Sequence, residues 1–171
     1  MMKKNIVFTA VLSMLSLIVQ AQTTMKEVFL AMPDSILPTL TQNNRLDMVD
    51  FLDARMKAQV TNALDGTSEL ESLDAVSLQL KMSDALTIRM LLLDVEDPVD
   101  SALQVVGVIR SYRLLSDSAA TESLCDYYSV KWQPLSAAPR LTPIALQRIA
   151  LVQRPSTILK RDDELPTLKQ L

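Results

Sequence analysis

The sequence predicts an α+β fold: N-terminal helices packed on one face of a mainly antiparallel β-sheet, in a single domain. Two observations carry this. Apolar residues recur at helical spacing up to about residue 65, and alternation with a period of two replaces that spacing beyond Gly66. The order matters as well, because helices first and strands after argue against a doubly wound parallel sheet, which interleaves them.

Residues 1–21 read as a secretory signal peptide. Lys3 and Lys4 give a basic start, Ile6 to Val19 form an apolar run, and Val19, Gln20 and Ala21 supply a small, spaced cleavage site. The run is broken by Thr9, Ser13 and Ser16 and is shorter than the roughly 20 residues of a spanning helix. A mature chain from Gln22, with no stable membrane insertion after cleavage, is the expectation. Its destination is the periplasm or the exterior.

Thr24 and Glu27 form a capping-box pattern for a short helix through Ala31, which Pro33 should stop. Ser35 to Leu40 can add a turn. Asn44 is expected to cap a second helix, from Arg45 to about Leu64, with Asp47 in its first turn. Val49, Leu52, Met56, Val60 and Ala63 lie on its apolar face, Asp50, Asp53, Lys57 and Thr61 lie opposite, and Gly66 is placed to close it.

Val76, Leu78, Leu80 and Met82 alternate with polar residues in a first strand. Leu86 to Leu93 gives a second, apolar on both faces at its end, and Val95 to Ser101, with Pro98 and its acids, reads as an exposed loop. Leu103 to Tyr112 is a third, in which Gly107 marks a bulge or a close contact, and Thr121 to Val130 is a fourth. Beyond Pro134 the prolines divide the tail, residues 134–171, into short pieces. Thr142 and Pro143 can start a helix from Ile144 to Val152, though the same residues also read as a strand; Ser156 to Lys160 and Leu165 to Leu171 look extended. Short connections and one polar sheet face predict antiparallel pairing, with the helices over the buried face.

Composition narrows function mainly by exclusion. Cleavage lowers the basic count from 17 to 15 against 20 acidic residues, a net charge of −5, and no basic cluster exceeds Lys160–Arg161, so nucleic acid is not an expected partner. Histidine is absent, which excludes Ser-His-Asp and Cys-His catalysis and His-based zinc sites. The two glycines, Gly66 and Gly107, are isolated, so no phosphate-cradling loop is present. Cys125 is the single cysteine; it allows no intrachain disulfide, lies far from the cleavage point where a lipid anchor would need it, and reads as a small buried side chain. No cofactor or metal is expected.

Phe29, Met32, Pro33, Asp34, Leu37 and Pro38, followed by Asn43, Asn44, Arg45, Leu46, Asp47, Asp50 and Phe51, resemble the opening of secreted Bacteroidales proteins grouped as domain of unknown function family 3256. The likeness continues more loosely through Asp65, Gly66 and the segment Tyr127, Tyr128, Ser129 and Trp132, covering residues 25 to about 135. It implies export and a single domain. No activity and no catalytic residue come with it.

Two constellations are candidate binding sites. The first is Asp34, Asn43, Arg45 and Asp50, with Asp47 and Asp53: converging carboxylates can divide acid and base roles, as in glycan hydrolysis. Capping, turn formation and a solvated helix face explain the same residues without a site, and a calcium loop would need glycine punctuation. The second is Tyr127, Tyr128 and Trp132, which can stack on sugars, anchor a protein, or pack into the sheet core. The reading that follows is a non-enzymatic binding or interaction module with a protein or glycan partner. Its alternatives are a carboxylate-dependent hydrolase acting on glycans and a small-molecule or lipid carrier, the last requiring an enclosed apolar cavity.

Overall fold

Thr24 opens helix α1 (Met25–Leu30): its hydroxyl accepts from the Glu27 amide while the Glu27 carboxylate accepts from the Thr24 amide. The computed structural model describes residues 23–114 and 117–153. Ala31 caps the far end, two residues before Pro33.

Helix α2 (Gln42–Asp53) differs from expectation at both ends. Its N-cap is Thr41, not Asn44; Asn44 is the third helical residue and reaches back to the Thr41 amide, completing a second capping box. The helix stops at Asp53 rather than near Leu64, and Arg55, at a φ of 58°, turns the chain away. The expected apolar stripe therefore divides. Val49 is buried and Leu52 half-buried, but Met56 is exposed and Val60 belongs to a strand.

That strand is β1 (Gln59–Thr61), followed by β2 (Thr67–Leu73), β3 (Ser77–Lys81), β4 (Leu86–Val99), β5 (Ala102–Leu114) and β6 (Asp117–Ser129). The six pair in sequence order, each antiparallel to the next. Gly66 serves the β1–β2 hairpin instead of ending a helix. Asp65 takes the left-handed conformation there, and the Asn62 side chain accepts from the Leu64 and Gly66 amides.

The expected loop over Val95–Ser101 is largely strand. β4 runs on to Val99 with its register to β5 broken between Asp94 and Val99, where Pro98 is accommodated. The returning chain pins this stretch: Glu96 donates to the Arg140 carbonyl, and Thr142 to that of Asp94. The turn itself is Asp100–Ser101, both at positive φ, as tight hairpins require.

Gly107 marks a close contact, not a bulge, since a Cβ there would stand 2.7 Å from Leu93 Cδ1. Pro143 begins helix α3 (Pro143–Gln153), which settles the helix-or-strand alternative. The expected signal peptide and the two tail segments expected to be extended lie outside the described residues.

Both faces of the sheet carry apolar clusters, which corrects the expectation of one polar face. Under α1 and α2 lie Leu78, Leu80, Ile88, Met90, Leu92, Val106 and Val108, joined by Phe29 and Trp132. On the other face Leu91, Leu93, Val105 and Ile109 meet Leu141, Ala145 and Ile149 at α3. Where β2 and β3 continue that second face it is polar, with Gln79 linking Glu71 to Arg89.

Candidate functional site

The polar constellation expected from sequence does not form an open site, and the aromatic one is split between the two faces of the sheet. Arg45 is fully buried. Its guanidinium donates to the Leu40 carbonyl (2.7 Å), to the Met32 carbonyl, and to Asp34 Oδ1 (2.9 Å), so it fastens the linker between α1 and α2 onto the second helix. Its Nε has no partner among the described residues. Asn43 and Asp50 stay on the exposed side of α2, Asp47 does likewise, and Asp53 pairs with Lys26 (2.7 Å). The acids are dispersed rather than convergent.

The aromatic residues divide between the two faces. Tyr128 and Trp132 pack together, ring centroids 5.5 Å apart, against the first core. The Trp132 indole donates to the Val28 carbonyl (2.9 Å). Tyr127 points to the second face beside Cys125, where burial pushes its phenol up to about 12, with the hydrogen bond it donates to the Cys125 sulfur acting in the same sense. Burial also raises the Cys125 thiol, outweighing the Tyr127 hydrogen bond that lowers it, so it stays protonated near neutral pH.

A cleft of about 510 Å3 opens elsewhere, between the tips of the β1–β2 and β3–β4 hairpins. Lys57, Asn62, Glu69, Lys81 and Asp84 line it, and the buried Met82 contributes to its wall. The register places Gln59, Glu69 and Lys81 side by side across three strands. Lys57 pairs with Glu69 (3.3 Å) and Lys81 with Asp84 (2.8 Å), so positive and negative charges alternate along the opening.

Beneath them a polar chain stiffens the rim. Asn62 donates to Ser68 Oγ (2.9 Å), and Ser68 in turn donates to the Met82 carbonyl (3.1 Å). The hydrogen bond from Lys81, with its charge, holds the Asp84 carboxyl below the usual carboxylate range, and Asp84 raises Lys81 in return. Two acids from different elements thus share one cleft, yet each is matched to a lysine. General acid catalysis needs the opposite arrangement, a carboxyl raised by its surroundings.

Sequence reasoning missed this cleft because its charged residues lie on β2, β3 and two flanking connections, and only strand register brings them together. The alternation of β3 could have placed Lys81 on the polar face. It could not have supplied Glu69 as its neighbour.

Among the described residues, no helix is long and apolar enough to cross a membrane, and no cluster of acids and cysteine is arranged to hold a metal ion.

The model of the family described as protein of unknown function (DUF3256) matches residues 16–161, and the chain belongs to that family. A solved structure, a domain of an uncharacterized protein from Porphyromonas gingivalis W83, is similar at 24% identity and a TM-score of 0.53. The similarity covers 66% of this chain and 54% of that one, so the chain spans about half the length of that relative. It establishes a shared fold. No curated protein matches.

Proposed function

We propose that this chain is an exported, non-enzymatic binding module, working in the periplasm or at the cell surface on a protein or glycan partner. The hairpin-tip cleft carries the reading: it is open, rigidly backed, and displays both signs of charge beside amide and hydroxyl groups. Exposed ion pairs of this kind contribute only about 0–1 kcal/mol, so an incoming partner exchanges them at little cost. The apolar clusters fill the space under the helices, which favours recognition at the surface over carriage of a lipid inside.

The test is a titration of the isotope-labelled mature chain, residues 22–171, with panels of envelope glycans and peptides, followed by amide chemical shifts. Shifts confined to Lys57–Glu69 and Lys81–Leu86, abolished by Lys57→Glu combined with Lys81→Glu, are expected. Turnover of any bound glycan would overturn the non-enzymatic reading. Absence of binding across both panels would remove the cleft as its basis.

A further inference from the structure

We propose that the free edge of β6 accepts an extended, basic peptide segment of a partner protein as an added strand. This does not depend on the hairpin-tip cleft, which lies at the other side of the sheet. Among the described residues β6 is the last strand of the sheet, and the chain itself already adds to its outer edge: Leu135 donates to the Tyr127 carbonyl (2.9 Å), and Ser129 donates to that of Gln133 (2.9 Å). The added stretch bridges Tyr128 through Pro134 and goes no further.

Alternate residues of an antiparallel strand direct their backbone groups to the same side. Cys125 and Ser123 therefore present theirs outward with Tyr127 and Ser129, and among the described residues no backbone group meets them. A cleft of about 290 Å3 lies where the self-added stretch departs, lined by Cys125, Tyr127, Leu135 and Ala138. An edge that supplies main-chain hydrogen bonds beside a pocket that takes one side chain is the arrangement by which sheets bind extended peptides.

Charge identifies the occupant. The strand DSAATESLCDYYS holds three acids and no base, and Glu122, Leu124 and Asp126 are exposed on one face of it; Asp126 is paired with Arg110 of β5, while Glu122 has no ion-pair partner among the described residues. A second copy paired edge to edge would bring two acidic strands together. A segment alternating lysine or arginine with small apolar residues would answer the acids on one face and the pocket on the other.

The probe is a short acetylated, amidated peptide of alternating lysine and valine, with a glutamate–valine peptide as counterpart. The lysine peptide should shift the amides of Glu122–Tyr127 and slow hydrogen exchange at Ser123 and Cys125. Ser123→Pro removes one outward donor and the hydroxyl contact with Ser111 (2.9 Å) while leaving the backbone ladder to β5 intact, and should weaken binding about tenfold with an unchanged circular dichroism spectrum. Glu122→Lys leaves the backbone untouched and should weaken it about fivefold. Equal binding of the glutamate peptide, unchanged binding by both variants, or shifts confined to the hairpin-tip cleft would overturn the proposal. So would a concentration-dependent dimer that Ser123→Pro abolishes, because the edge would then belong to a second copy.

Discussion

On the face beneath α1 and α2, apolar side chains from β3, β4 and β5 close against Phe29, Met48 and Trp132 in one continuous cluster. On the opposite face α3 meets a smaller cluster from β4 and β5, and β3 turns polar side chains outward there. β4 and β5 are thus buried on both sides, whereas β2, β3 and much of β6 are buried on one. The doubly covered pair is the structural spine. Its flanks are left to display charge, and both candidate binding surfaces lie on them.

The largest expected effect breaks the first face at its margin. Arg45→Ala would strip the Met32 and Leu40 carbonyls of their buried donor and leave a void, costing about 3–5 kcal/mol. Urea unfolding would measure it. The comparison is sharpened by two truncations on opposite faces. Leu92→Ala, fully buried under α1, should cost about 3–4 kcal/mol, and Ile149→Ala, 7% exposed on α3, about 2 kcal/mol. Equal losses would show that the two clusters contribute alike.

Gly107→Ala probes the second face from inside the sheet. The new methyl would press on the fully buried Leu93, which must move, at a cost of about 1–2 kcal/mol in thermal unfolding.

The smallest effect is acid loss at the flank. Burial pushes the Asp74 carboxyl up, but hydrogen bonds from the Ser77 hydroxyl and the Val76 and Ser77 amides outweigh it, so its folded pKa lies below the ordinary value of 3.8. A depressed carboxylate contributes stability above its unfolded pKa, and that contribution disappears as pH falls through the folded value. The urea midpoint of the wild type should therefore drop more steeply below about pH 4 than that of Asp74→Asn. Parallel pH profiles would show that Asp74 contributes nothing to the linkage.

The sequence made the sheet legible where one face repels water and the other does not. Leu78, Leu80 and Met82 alternate with polar neighbours, and β3 follows directly. Failures arose where one local signal serves two structures. Leu64-Asp65-Gly66 satisfies a helix terminus as well as a hairpin, and only the pairing of Val60 with Ser68 decides between them. Thr41 and Asn44 are both good caps; the choice falls to the one whose third residue reaches back. Leu91 and Leu93 did signal a second covered face, but α3, which covers it, lies some fifty residues further along. The cleft was illegible for a related reason. Each of its ion pairs is ordinary, and their alternation exists only once the strands are in register.

Trp132 offers an experimental handle on all of this. It is the single tryptophan, 4% exposed, and its indole is tied to a carbonyl 104 positions earlier, on α1. Its fluorescence therefore gauges one event, the joining of the first helix to the end of the last strand. A red shift of emission that preceded loss of sheet signal would mean that the N-terminal helix peels away first, while the spine of β4 and β5 still holds.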